Sequence, residues 1–258
     1  MNPSPDARPL AGWSVICLRP SMQQAAVRRA VTARGARHLA LPGLRLAALP
    51  ATTQLGQALA CAAVVFTSPA AVHFAARQQA LVLRPEALAF AVGAGTAAAL
   101  ARHGIRAISP RADAMHSDGV LALPHWQHLD GVVGLVTAPG GRGVIAAGLV
   151  CRGLELVRAE VYQRLPPRPD ARHLRALLAS AAPRAVLVSS GEALDGILAA
   201  LPAPARARLL DSVAIASSPR LADMARSHGF TGGVTASAPT AAAMLGALQQ
   251  HAAGLGFR

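Results

Sequence analysis

The chain contains no lysine. Its 25 basic residues are all arginine, set against only 12 acids, which gives a formal net charge of +13 over 258 residues. Aromatic residues make up 3% of it, with a single tyrosine, so stacking platforms for single-stranded nucleic acid are few. The arginines are scattered, with Arg28-Arg29 the only adjacent pair. No helix-turn-helix, zinc-finger or RNA-recognition signature accompanies them. A basic surface is compatible with nucleic acid, membrane lipid or a small polyanion. An arginine-only, alanine-rich composition is also what a GC-biased genome produces, so charge alone does not choose among these. With 12 acids, a paired-carboxylate mechanism has few members to draw on.

Long apolar runs are also missing. No uncharged stretch is longer than 46–76, which is interrupted by Pro50, Thr52, Thr53, Gln54, Gln57 and Pro69, whereas a membrane helix needs about 20 predominantly apolar residues. Met1–Arg8 is polar and proline-rich, so no signal peptide is expected. Cys17, Cys61 and Cys151 are odd in number and lie in apolar contexts, which fits free thiols in a reducing cytoplasm better than disulfides or a metal site. Familiar catalytic motifs fail on inspection. Gly93-Ala94-Gly95-Thr96 lacks the third glycine of a dinucleotide fingerprint, and no acidic residue ends a strand at the required distance. Gly140-Gly141-Arg142 lacks the Lys-Ser/Thr pair of a P-loop, and there is no Gly-x-Ser-x-Gly elbow. His125 and His128, with His116, have no cysteine or carboxylate to complete a ligand set and read as a solvated face beside Trp126.

What the chain does contain is a pattern stated twice. Val15–Arg19 precedes Arg34-Gly35 as Val133–Thr137 precedes Arg152-Gly153. Val64-Val65-Phe66-Thr67-Ser68-Pro69 recurs as Val186-Leu187-Val188-Ser189-Ser190-Gly191, and the run from Phe90 recurs from Val213. The offsets are 118, 122 and 123 residues, so spacing is kept while identities drift. Short β-branched runs bounded by Gly, Pro or Ser predict strands near 14–19, 37–41, 63–67, 89–93, 106–109, 132–137, 155–162, 184–189, 212–216 and 232–235. Ala/Leu-rich stretches predict helices over 22–34, 52–61, 69–80, 95–103, 117–124, 140–152, 170–181, 191–201, 218–228 and 239–253. Such alternation implies parallel sheets covered on both faces, in two similar α/β units facing one shared site. The proline-rich segments 42–51 and 163–170 read as crossings between them.

In such sheets, ligands bind beyond the carboxyl ends of the strands, where the next helices begin. Ser68-Pro69 and Ser218-Pro219 each pair an N-cap side chain with proline at the first helical position, and Ser189-x-x-Glu192 has capping-box spacing. Gly93–Thr96 and Ala138–Arg142 are bends of little bulk, open to close approach by a ligand. Helix starts offer unpaired N–H donors and about half a positive charge, a receptor for carboxylate or phosphate. Each feature singly is more often a plain cap or turn; their recurrence in both halves is what points to a site. Tyr162 ends a β-like run just before a crossing; a lone tyrosine at a strand end is more often structural, but at a domain crossing its phenol would be aimed into the cleft.

At these residues the chain resembles the uroporphyrinogen-III synthase family over nearly its whole length. The carriers are Phe66–Val72, Val92-Gly93-x-Gly95-Thr96-Ala97, Gly140-Gly141-Arg142 with Arg152-Gly153, Val161-Tyr162-Gln163-Arg164, Ser189-Ser190-Gly191-Glu192, and Ser218–Ala222 with His228-Gly229-Phe230. The resemblance implies two flavodoxin-like parallel-sheet α/β domains, related by internal duplication and joined by a two-strand connector. It places 1–42 plus 165–258 in one discontinuous domain and 43–164 in an inserted one. It implies closure of hydroxymethylbilane to uroporphyrinogen III, with loss of water and inversion of ring D, using no metal or organic cofactor. Tyr162 matches the family tyrosine that assists departure of the hydroxyl. Thr67, Ser68, Gly93, Thr96, Gly140, Gly141, Arg142, Ser189, Ser190, Ser217, Ser218 and Arg220 match cleft-lining positions expected to bind the substrate's carboxylates. Arg142 and Arg220 serve equally well as surface salt-bridge partners. The expected partner is a polycarboxylate tetrapyrrole, not nucleic acid or membrane, acting on a cytoplasmic monomer with room for transient contact with the upstream bilane-forming enzyme. The chain departs from the family at Thr137-Ala138-Pro139, where relatives often carry Arg-Gly, at Gly143 in place of a common Glu, and near Ala216-Ser217, where a Gly-Pro is missing. The alternative is a non-enzymatic two-domain binding protein for a small anion.

Overall fold

The computed structural model describes residues 8–111, 114–140 and 143–255. The chain divides into two compact units, Met1–Arg45 with Leu165–Arg258, and Leu46–Arg164. Gly141 and Arg142 lie outside the described residues.

The first unit holds a five-stranded parallel sheet made of β1 (Ser14–Cys17), β2 (Arg37–Ala40), β10 (Arg184–Val188), β11 (Val213–Ala216) and β12 (Gly233–Thr235). Its spatial order is β12-β11-β10-β1-β2. Successive side chains of a strand face opposite sides, and here both sides are buried. Val15 and Cys17 pack with Leu187 and Ile215 in one cluster, Ile16 and Leu18 with Val186 and Val188 in another. Near-continuous apolar runs such as Val186–Val188 follow from this two-sided burial.

The second unit repeats the plan with β4 (Ala63–Phe66), β5 (Leu88–Ala91), β6 (Ala107–Ile108), β7 (Val132–Thr137) and β8 (Glu155–Glu160), in the order β6-β5-β4-β7-β8. Val64 and Phe66 enter one core cluster, Val65 and Phe90 the other. Gly134 in β7 is a packing requirement: a Cβ there would sit 2.2 Å from the Ala58 carbonyl oxygen of α2 (Thr52–Leu59). The connector is a two-stranded sheet of β3 (Arg45–Ala48) and β9 (Tyr162–Leu165).

Ladder registers test the internal repeat directly. Val15 pairs with Ala185 as Val133 pairs with Ala63, which reproduces the 118- and 122-residue offsets. Phe90 pairs with Val65, and the residue that pairs with the equivalent Leu187 is Ile215. The third repeat therefore aligns Phe90 with Ile215, two residues beyond the sequence match; a shift of two keeps every side chain on its own face.

Other details differ from the sequence reading. The run 155–162 is two strands, because Val161 donates to the Thr137 carbonyl of one sheet and accepts from the Leu49 N–H beside the other. Helix α9 (Ala203–Leu210) follows Pro202 in a stretch read as loop. Trp126 is buried and stacks on Phe90 at 4.2 Å, anchoring a turn on which His128 is exposed, as read, and His125 is half-buried. Among the described residues no helix is long and apolar enough to cross a membrane.

Candidate functional site

Open parallel sheets bind ligands where the strand order reverses, because neighbouring loops there diverge and leave a crevice. In the second unit that point lies between β4 and β7, and in the first between β1 and β10. Each crevice contains a cavity.

The cavity of the second unit has a volume of about 210 Å³. Thr67 and Ser68 reach it from the end of β4, Thr137, Ala138 and Gly140 from the end of β7, and Arg158, Tyr162 and Arg164 from β8 and β9. Thr67 Oγ1 lies 3.0 Å from Thr137 Oγ1 and 3.3 Å from the Val136 carbonyl oxygen, fastening the two strand ends together. Ser68 is the N-cap of α3 (Pro69–Ala76), its Oγ accepting from the Ala71 N–H at 3.0 Å. The same Oγ sits 3.1 Å from the Tyr162 hydroxyl. Tyr162 is buried, 6% exposed, and its ring stacks on Phe74 of α3 at 5.4 Å and 13°. The phenol is thus held at its face and at its oxygen by one helix.

Two arginines line the same cavity. Arg158 pairs with Glu160 at 2.8 Å, and Arg164 Nη1 donates to the Pro139 carbonyl at 3.3 Å, bracing the 138–140 bend. No carboxylate is among the described residues lining this cavity. Gly140 has φ +75°, a left-handed conformation that disfavours any side chain, so the bend stays bare at the cavity edge. Gly93, by contrast, is extended and caps α4 (Ala94–Ala101) without a side chain. The first N–H of α4, on Ala94, is covered by the Met115 sulfur at 3.3 Å.

The cavity of the first unit, about 220 Å³, is lined by Arg19 from the end of β1 and by Ser189 and Ser190 from the end of β10, with Gln23, Leu44 and Pro239 among its walls. Ser190, not Ser189, is the N-cap of α8 (Gly191–Ala200), accepting from Ala193 N–H at 3.3 Å. The capping box expected at Ser189–Glu192 therefore cannot form: the cap falls one residue later, the third helical position is Ala193, and Glu192 stands in the first turn. Arg19 donates to the Pro239 carbonyl at 2.6 Å. Ser218 caps α10 (Pro219–Ser227) as its Ser-Pro signature requires, and Ser217 is half-buried beside it. Because these caps accept from their own helices, each hydroxyl keeps a proton with which to donate to a bound anion.

The sequence-based set divides accordingly. Thr67, Ser68, Gly140 and Tyr162 converge on one cavity, and Ser189 and Ser190 line the other. Thr96 is a correction: helix α4 already runs through it, its N–H bonds to Gly93, and the residue is only 3% exposed. Arg220 is exposed at the second position of α10. Arg158, Arg164, Thr137 and Arg19 line the cavities without having been singled out as site residues. Arg164 was within reach, two residues after the lone tyrosine, whereas nothing in the strand pattern distinguishes Arg158.

Comparison with known proteins follows the same lines. Residues 25–246 match the family model described as Uroporphyrinogen-III synthase HemD. The crystal structure of uroporphyrinogen-III synthetase from Helicobacter pylori 26695 superposes with a TM-score of 0.62 at 17% identity, covering 95% of this chain and 99% of that one. A mutant, selenomethionine form of uroporphyrinogen III synthase from the extremely thermophilic bacterium Thermus thermophilus gives a TM-score of 0.57 at 20% identity, over 93% and 99% of the two chains. At such identities the structural likeness is one of fold.

Proposed function

We propose, from the premise that the chain belongs to the uroporphyrinogen-III synthase family, that its two strand-end clefts steer ring closure of hydroxymethylbilane to uroporphyrinogen III by positioning rather than by strong acid–base catalysis. The family is a lyase family of haem biosynthesis. The observation that carries the mechanism is the Tyr162–Ser68 pair in a cavity whose described lining also brings together two threonine hydroxyls and two arginines, without a carboxylate.

The substrate carries an acetate and a propionate on each of its pyrroles, eight carboxylates in all. Hydroxyls, helix-start amides and arginines are the donors that suit them. In the second unit those donors are Thr67, Ser68, Thr137, Arg158 and Arg164, and in the first Arg19, Ser189 and Ser190. Loss of water, the terminal hydroxyl leaving with the proton of its own pyrrole N–H, gives an electrophilic azafulvene. Tyr162 assists that departure as a hydrogen-bond donor. Ser68 Oγ, which accepts from the Ala71 N–H, lies 3.1 Å from the phenol oxygen and helps to fix its position. Attack by the substituted carbon of ring D then gives a spiro-pyrrolenine, which fragments and recloses with that ring reversed.

The bilane left alone closes readily to the uninverted isomer. Catalysis is therefore chiefly the holding of a flexible chain in its less accessible closure, the kind of effect that orientation supplies. Gly93, Gly140–Arg142, Ser217, Ser218 and Arg220 are read as further contacts, as their family positions imply; Thr96 is left out of that set because it is buried. Three free cysteines support a cytoplasmic setting, and a monomer that meets its upstream enzyme transiently is the simplest assembly for handing over an unstable substrate. A non-enzymatic anion-binding role is not favoured by the family match.

The experiment is product isomer analysis. Purified protein is given freshly prepared hydroxymethylbilane, and the porphyrins are oxidised and separated. Isomer III in excess is the expected outcome; isomer I in the proportion of the protein-free blank overturns the reading.

A further inference from the structure

Gln78, which lies just beyond the end of α3 and outside the cavity, makes more hydrogen bonds with its side chain than packing requires. Its Oε1 accepts from the Ala51 N–H at 2.8 Å. Its Nε2 donates to the Leu49 carbonyl at 2.9 Å and the Val161 carbonyl at 3.3 Å, and lies 3.4 Å from that of Phe74. One amide thus ties the start of α2, the segment after β3, the junction of β8 and β9, and α3.

The Val161 carbonyl belongs to the peptide that carries Tyr162. Val161 is also the pivot at which the chain leaves one sheet for another, its N–H bonded to Thr137 and its carbonyl shared between Leu49 N–H and Gln78. Rotation of that peptide about the pivot swings the phenol. The helix α3 and its C-terminal continuation therefore grip the tyrosine at three levels: Ser68 at the hydroxyl, Phe74 at the ring face, Gln78 at the backbone.

We infer that Gln78 is a positioning residue for Tyr162, fixing the backbone from which the phenol reaches the reacting hydroxyl. The inference rests on the proposed role of Tyr162. Reacting groups need placement to about 0.5 Å and 10–20° by supporting residues, and small misplacements from remote changes cost up to about 100-fold in rate.

Because the chain has one tyrosine, incorporation of 3-fluorotyrosine gives a single 19F resonance that reports on Tyr162 alone. Gln78→Met retains the unbranched stem and removes every polar contact. It is expected to move that resonance and to lower kcat about tenfold, with KM within about twofold. In a Tyr162→Phe background the same change should cost less than about twofold, since no hydroxyl remains to be placed. Gln79→Met, next along the chain, should leave both resonance and kcat as in the unsubstituted protein. Wild-type kcat in Gln78→Met, an unmoved resonance, or the full tenfold loss persisting without the tyrosine hydroxyl each overturns the inference. Should Gln78→Met fail to fold, Gln78→Glu keeps the acceptor for Ala51, lacks the donors to Leu49 and Val161, and is read by the same criteria. The resonance responds whether or not the protein makes isomer III, so failure of this inference is separable from failure of the proposed reaction.

Discussion

At the scale of single residues, the proposed site draws on groups whose chemistry is weak and whose placement is strong. Ser68 and Ser218 were legible as caps because the signal is local, a serine at a strand end with proline at the first helical position, whereas the cap of α8 was expected at Ser189 and falls one residue later, at Ser190. Tyr162 was legible because it is the only tyrosine and precedes a proline-rich crossing. Thr96 misled because Gly93-Ala94-Gly95-Thr96 looks like an open bend, whereas the helix starts at Ala94 and carries Thr96 into the buried side. Arg158 gave no signal, since a charged residue on a strand of mixed polarity is ordinarily a solvated one. Its position at the cavity yields a prediction. Arg158→Gln is expected to raise KM about tenfold while kcat stays within about twofold, because it removes an ionic contact made equally to substrate and transition state. Initial rates over a range of bilane concentrations check this, and an unchanged KM would return Arg158 to a surface role with Glu160.

At the scale of elements, legibility followed the range of the forces. Alternation and apolar runs located the ten principal strands to within a few residues because both sheet faces are buried. The break inside 155–162 was invisible, since β8 and β9 keep an extended backbone through Val161 and only the partner strand changes, from β7 to β3. Helix α9 was hidden by Pro202 and Pro204, which look like loop but stand at a helix start, where proline is tolerated. The entry to α7 (Ala171–Leu178) carries a capping box that the sequence reading did not mark. Asp170 accepts from the Arg172 and His173 N–H groups, and the His173 side chain reaches back to the Asp170 N–H. The His173 backbone N–H, helped by the Arg172 side chain, holds the Asp170 carboxyl down to about 2. A carboxyl with its folded value below its ordinary one stabilises the fold above the ordinary value, and that contribution is lost as pH falls through the folded value. Here the window is about pH 4 down to about 2. Asp170→Ala is therefore expected to be less stable than the parent at about pH 7, with the difference narrowing across that window. Urea melts at a series of pH values test it; a difference that stays constant to the bottom of the window would mean the carboxylate charge is not involved.

At the scale of the whole molecule, the duplication was written in the sequence and its interleaving was not. Repeated strand ends predicted two similar units, and the matching ladders of β1 with β10 and β7 with β4 bear out that plan. Nothing periodic, however, records that the second unit is inserted after β2 of the first, because a crossing of the chain is a long-range fact carried only by which strands pair. The duplication explains why both sheets place hydroxyls at a strand-order reversal, and also why no single motif names the reaction. A rate that depends on holding a polyanionic chain in one shape draws on many weak donors, none of which is diagnostic alone.

The measurement that bears most directly on this is the rate and product isomer of Tyr162→Phe taken together, over a series of enzyme concentrations. Removal of the phenol's hydrogen bond to the charge-gathering hydroxyl should slow turnover by about 10- to 100-fold, while the enzyme-dependent product remains isomer III and its share rises as more enzyme outruns spontaneous closure. A variant as fast as the parent, or one whose enzyme-dependent product is isomer I, would contradict the claim that the phenol aids departure of the hydroxyl while the surrounding geometry chooses the ring.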